Sequence, residues 1–276
     1  MRFRKRAAFV LVSAAAFGVG LIAYTGSAAA APPVVPTCAF PATAGSDSCA
    51  KIVTTGSPNP IGTAYENLKL AVRVRSQFDP ATSETTSVNL KFDQDIKLDM
   101  AAVAGTCSAA TLSGKTIQQA YNACGPGPGG SNTYLSPAGN VSGVGSTTVT
   151  GIDACTMIFK GANNNQVLIY ARAPIGNPSS ECNNPGTNTA GSATVVFTGT
   201  LSHQPVASPY DWTLNVPNTH TANPALDDFG ATLTRGTALQ AKCQPAGTTH
   251  IMQGTWDYTG AGDANDVYNT SDPCNT

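Results

Sequence analysis

The chain has 276 residues, of which 41% are hydrophobic and 11% charged, with 27 Gly and 19 Pro. That apolar content supports a core and argues against disorder throughout, while low charge with many turn residues suits an extracellular all-β protein. The formal net charge is −1, and the scattered Lys and Arg make no electrostatic footprint for nucleic acid.

The chain opens on MRFRKR, an apolar run from Ala7 to Tyr24 and then TGSAAAA. This basic, apolar, small-residue order predicts a secretory leader over 1–31, cleaved after Ala30 or Ala31. The competing reading is an uncleaved anchor, since about 18 apolar residues reach across a bilayer. The Ala/Gly-rich run and its A-x-A ending favour cleavage. Arg-Arg is absent, so a twin-arginine route is not indicated, and no later run is apolar enough to span. Removing Arg2, Arg4, Lys5 and Arg6 leaves 11 basic against 16 acidic residues, a net charge of −5.

Residues 32–63 are rich in Pro, Ala, Ser, Thr and Gly and read as a flexible lead-in to a single β-sandwich domain over 64–276. In ENLKLAVRVR at 66–75, Leu68, Leu70, Val72 and Val74 alternate with polar residues or Ala71, so a strand with one buried face is expected. FDPATSE at 78–84 is a turn. Val88 to Met100 is the strongest pattern in the chain. Val88, Leu90, Phe92, Ile96, Leu98 and Met100 share one parity, and Asn89, Lys91, Asp93, Asp95, Lys97 and Asp99 the other. One straight strand of that length would reach about 40 Å, so a bend is predicted at Asp93-Gln94-Asp95.

Ile117, Ala120, Tyr121 and Cys124 fall at helical spacing, predicting one short helix inserted at one end. GPGPGGSN at 125–132 is a loop. Strands are then expected at 144–150, 155–160, 166–172 (with GANNN as a hairpin turn), 194–201, 210–216, 229–234 and 251–258. The tail from Val267 to Cys274 completes a last hairpin. A long polar loop at 177–191 interrupts them. About ten short strands with turn signals between them predict one antiparallel sandwich.

All eight cysteines follow the leader, which predicts four disulfides on an exported chain. Eight cysteines allow 105 connectivities, of which nearest-neighbour pairing is favoured: Cys38–Cys49, Cys107–Cys124, Cys155–Cys182 and Cys243–Cys274. A metal-binding reading would need close pairs such as C-x-x-C, and there are none.

The order of features resembles a group of uncharacterised exported actinobacterial proteins with an immunoglobulin-like sandwich. The matching features are the alternating 88–100, Cys107, the helix-like 108–123 and Cys124. SGVGSTTV at 142–149, Phe159-Lys160-Gly161 and VLIY at 167–170 follow. The ending is Cys243, Trp256-Asp257-Tyr258 and Cys274. The resemblance spans about 66–274. The Gly/Pro-rich insert after Cys124 and the pairs Cys38/Cys49 and Cys155/Cys182 depart from it. It implies an immunoglobulin-like fold and carries no activity.

No G-x-S-x-G is present, and full cysteine pairing leaves no free thiol. His203 and His220 lie in polar loop sequence and His250 opens a strand, so a triad would have to assemble in space. H-E-x-x-H is absent and three scattered histidines do not predict zinc. Asp263, Asn265, Asp266, Asn269 and Asp272 make an oxygen-rich stretch, but the spacing is not that of a calcium loop. Asp93, Asp95 and Asp99, interleaved with Lys91 and Lys97, read as a solvated face with cross-strand charge pairing rather than a glycosidase pair. Asp227-Asp228 reads as a loop. Among aromatic candidates for a sugar platform, Tyr210, Trp212, Trp256 and Tyr258 share parity with apolar residues. That leaves Tyr134 as the best exposed candidate.

These readings predict an exported, non-catalytic protein for binding, adhesion or envelope structure at or outside the cell surface. The competing readings are a secreted hydrolase with a loop-built site and a carbohydrate-binding module. No cofactor, catalytic residue or metal ligand is expected. Cell-envelope polysaccharide or another surface protein are the expected partners, with the ligand left open.

Overall fold

Alternation of apolar and polar residues becomes thirteen strands among the residues that the computed structural model describes. The described residues are 48–57, 61–76, 85–126, 129–135, 143–147, 153–173, 193–204, 208–219, 226–243, 248–258 and 266–274. The first half contributes β1 (Ser48–Ser57), β2 (Glu66–Ser76), β3 (Thr85–Asp93), β4 (Ile96–Leu98), α1 (Ala109–Leu112) and α2 (Ile117–Cys124). The second half contributes β5 (Gly143–Thr147), β6 (Asp153–Lys160), β7 (Gln166–Ala173), β8 (Ala193–His203) and β9 (Tyr210–Pro217). It ends with β10 (Leu226–Thr234), β11 (Leu239–Ala241), β12 (Thr249–Tyr258) and β13 (Asp266–Pro273).

Every pairing is antiparallel. One ladder runs β13-β12-β3-β9-β8-β7-β6-β5-β10-β2, and β1 adds to the free side of β2 over its whole length. The lower end of β2 also pairs with β11, which pairs with β4. The ladder folds back so that its ends meet. The Thr54 backbone N–H of β1 donates to Asp272 Oδ2 of β13 at 2.7 Å. The result is two facing antiparallel layers around one apolar interior, a sandwich-like arrangement.

The expected bend exists: β3 stops at Asp93, Gln94 and Asp95 turn, and β4 starts at Ile96. Leu90, Phe92, Ile96, Leu98 and Met100 are buried, and Val88 packs against them. At about 1.5–3 kcal/mol for each large side chain removed from water, this one stripe is a major part of the core.

A second cluster lies on the opposite face of β6 to β8. Leu112 of α1 and Ile117 and Ala120 of α2 pack with Met157, Phe159, Leu168 and Tyr170. Meanwhile Ile158, Val167 and Ile169 point into the main core. Both faces of β6 and β7 are therefore dry, which is why CTMIFK and VLIYA read as continuous apolar runs rather than alternation. The helix expected at 117–124 begins with a capping box: Thr116 Oγ1 accepts from Gln119 N–H, and Gln119 Oε1 accepts from Thr116 N–H. The one-turn α1 was not foreseen.

Two of the four expected disulfides are found, Cys107–Cys124 and Cys243–Cys274, each with Cα atoms 5.7 Å apart. Cys155 is disulfide-bonded too. Cys38, Cys182 and the Cys49 side chain lie outside the described residues, as do the leader 1–31, the 78–84 turn and the 177–191 loop. The lead-in reading of 32–63 is corrected over 48–57. Ala50, Ile52 and Thr54 alternate inward there and are buried, but small and hydroxyl members dilute the pattern. Pairing with β2 is what makes the segment a strand.

Candidate functional site

Inward-facing side chains of ten strands, from β2 to β12, leave an apolar cavity of about 100 Å³ between the layers. Leu70, Leu90, Phe92, Ile169, Ala231 and Trp256 are among its walls, and Thr219 is the one lining residue with a polar side chain. Interiors normally pack to crystal density with few voids larger than a water. At about 24 cal/mol per Å³, an unfilled void of this size costs roughly 2 kcal/mol. With no charged group on its wall, it suits the apolar part of a ligand.

A polar cluster covers one end of the molecule. Asp93 is buried although its parity assigned it to the solvated face. The pairing of β3 with β9 shifts register between Phe92 and Asp93, and such an irregularity re-aims a side chain. Asp93 Oδ1 accepts from Asp95 N–H at 2.8 Å and Oδ2 from Ile251 N–H at 2.9 Å. Burial nevertheless raises its carboxyl above the ordinary value, against those two N–H groups and nearby His250, which pull it down. Asp95 pairs with Lys242 Nζ at 3.5 Å, and Asp99 with Lys97 at 3.5 Å. Lys91 donates to Gln253 Oε1. The charges expected to pair along 91–99 thus also reach other strands.

His203 Nε2 meets Asp211 Oδ1 at 2.7 Å, and its ring stands edge-on to Trp212 at 5.0 Å. This supplies two of the three members of a catalytic triad, and among the described residues no nucleophile is bonded to the other ring nitrogen. His250 lies elsewhere and is buried. Its Nδ1 is 2.9 Å from Thr54 Oγ1, which donates to Asp272 Oδ2 at 2.8 Å. A hydroxyl beside an imidazole has the form of a nucleophile and base. Here both are sealed from solvent, and the carboxylate holds the threonine rather than the histidine. The two described histidines are not brought together, and His220 lies outside the described residues.

The oxygen-rich stretch is partly accounted for. Asp272 is engaged by Thr54, and Asn269 Oδ1 accepts from Gln253 Nε2 at 3.0 Å and Tyr210 Oη at 3.4 Å. Asp263 and Asn265 lie outside the described residues, as do the side chains of Asp266, Asp227 and Asp228. Tyr134 is corrected: it is fully buried. A bridge to Phe159 and ring contacts with Tyr121 and Phe159, at 5.6 and 5.2 Å, place it under α2. Trp256 is buried as its parity required, and Tyr210 and Trp212 are half-buried. The Tyr258 side chain lies outside the described residues. Among the described residues the exposed aromatic is Tyr65, 42% accessible and under Lys242 Nζ at 5.2 Å from the ring centre. It precedes β2 and had no sequence signal beyond being an isolated aromatic. Burial and the carboxylates around it raise its hydroxyl pKa against the pull of Lys242.

Among the described residues no helix is long and apolar enough to cross a membrane. Comparison with protein-family models, curated proteins and solved structures finds no match to this chain.

Proposed function

We propose that the protein is an exported, non-catalytic binding protein, an immunoglobulin-like sandwich related to the actinobacterial group it resembles. In this reading it acts at or outside the cell surface and takes the apolar part of a small molecule or lipid between its layers. The cavity of about 100 Å³ with its apolar walls is the observation that carries this reading. Cavities of comparable size lined by aliphatic and aromatic side chains stay dry and accept benzene or xenon. The volume suits one ring or a short length of hydrocarbon, not a whole drug-sized ligand. Any charged head would have to remain outside, because an unpaired charge among these walls would cost several kcal/mol or more.

The test is thermal unfolding of the native chain and of Ala231→Leu, each with and without saturating benzene or n-octanol. Ligand binding to the folded state raises the unfolding temperature. The expected outcome is a rise in the native protein and none in the variant, whose added methyl groups occupy the space. No rise in the native protein with either compound would end this reading. Should Ala231→Leu not fold, Ala231→Val takes its place.

A further inference from the structure

At the seam where β1 meets β13, four groups that can offer an electron pair converge: His250 Nε2, the Lys242 carbonyl oxygen and the sulfurs of Cys243 and Cys274. Nε2 lies 3.0 Å from the Lys242 oxygen and 3.3 Å from Cys274 Sγ. On the other side of the ring, Nδ1 is 2.9 Å from Thr54 Oγ1, which donates to Asp272 Oδ2. Three of the groups are the usual ligand types. Cys243, Cys274 and His250 are all buried, and their ligand atoms lie within 4.8 Å of one another.

We propose that Cys243, Cys274 and His250 form a buried site for one Zn²⁺-like ion, available when the Cys243–Cys274 disulfide is reduced. The Lys242 carbonyl oxygen, facing the same point, is the fourth donor. Tetrahedral zinc sets thiolate sulfurs about 3.8 Å apart, given Zn–S bonds of about 2.3 Å. Side-chain rotation of two cysteines whose Cα atoms are 5.7 Å apart can supply that separation. The outer shell is also in place, since a ligating histidine normally donates its other N–H to a hydrogen-bonded partner that fixes its tautomer. Here Nδ1 faces the Thr54 hydroxyl of β1, which is held by Asp272 of β13.

The chemistry balances with a dithiol of the thioredoxin class or, in the test, a phosphine and water. A dithiol gives two electrons and two protons, converting the protein disulfide to two thiols as it becomes a disulfide. A phosphine leaves as its oxide. The ion then binds both sulfurs as their two protons pass to solvent. Disulfide and metal site exclude each other, so the same two cysteines hold β13 in either state.

The experiment uses the full chain reduced with a phosphine and titrated with Co²⁺ as a spectroscopic stand-in for Zn²⁺. One equivalent is expected to give thiolate-to-metal charge-transfer and tetrahedral ligand-field absorption. Thr54→Val, which removes the hydroxyl beside His250 Nδ1 and leaves every metal ligand in place, should weaken affinity about 10–100-fold, and His250→Gln should weaken it further. Cys107→Ser/Cys124→Ser should keep the signal and Cys243→Ser/Cys274→Ser lose it. In the unaltered chain, Zn²⁺ should slow alkylation of Cys243 and Cys274 but not of Cys107 and Cys124, which needs no variant to fold. Equal alkylation of all four with Zn²⁺ present, or a Co²⁺ spectrum that survives His250→Gln unchanged, would overturn the site.

Discussion

Asp93 occupies the place where β3 ends and its register with β9 shifts. Two backbone N–H groups, of Asp95 and Ile251, depend on its oxygens, while burial raises its pKa above the ordinary 3.8. A raised carboxyl binds its proton more tightly in the folded than in the unfolded chain. Its ionisation therefore costs stability, which falls as pH rises from 3.8 through the raised folded value and is flat above it. Asp93→Ala is expected to lose this slope. At neutral pH it is also expected to be less stable by about 1–3 kcal/mol, because two N–H groups are orphaned. Urea unfolding of both chains from acid to neutral pH checks this, and an unchanged slope in the variant would refute it. Parity along 88–100 indicated which side of β3 Asp93 should face. Only pairing with β9 introduced the irregularity that turned it inward, a signal carried by no local pattern.

The helical insert shows how far local signals reach at the scale of elements. Spacing at Ile117, Ala120, Tyr121 and Cys124 identified α2, and its Thr116/Gln119 capping box was present in the sequence. Thr116→Ala is expected to lower stability by about 1 kcal/mol, a normal N-cap loss. The effect should extend to the Lys115 carbonyl one residue upstream, which accepts from Tyr170 Oη at 2.6 Å. Equilibrium denaturation with Tyr fluorescence reads both, and an unchanged midpoint would show the cap to be idle. What helical spacing did not reveal is where α2 docks. Tyr134 was expected to be exposed in a Gly-rich loop, yet it is enclosed by α2 and β6. The clue was the unbroken apolar run of β6 and β7, which required a cover on both faces.

For the whole molecule, closure rests on β1. This strand pairs with β2 along ten residues and carries Thr54 to Asp272 and His250 at the opposite end of the ladder. A chain lacking 48–57 would leave the β2 edge and the Ile52 side of the core open to water, an invitation to association. Such a deletion is expected to elute as aggregate in size exclusion and to bind a hydrophobic dye. A monomer that melts as the full chain does would show β1 to be dispensable.

Sequence alone determined the period-two strands, their inner and outer sides except at Asp93, the turn at 93–95 and the short capped helix, while nearest-neighbour pairing only favoured Cys107–Cys124 and Cys243–Cys274 among the possible connectivities. The strands, the turn and the helix follow from spacing along the chain, because the strand and helix repeats are local geometry. Tertiary structure alone decided that β1 belongs to the sheet, that Asp93 and Tyr134 are buried, that a void remains between the layers, and that His250 lies against a disulfide and a threonine. Those outcomes depend on contacts between residues tens to hundreds of positions apart. Chain closure brings such residues together, and no repeat in the sequence encodes their distance.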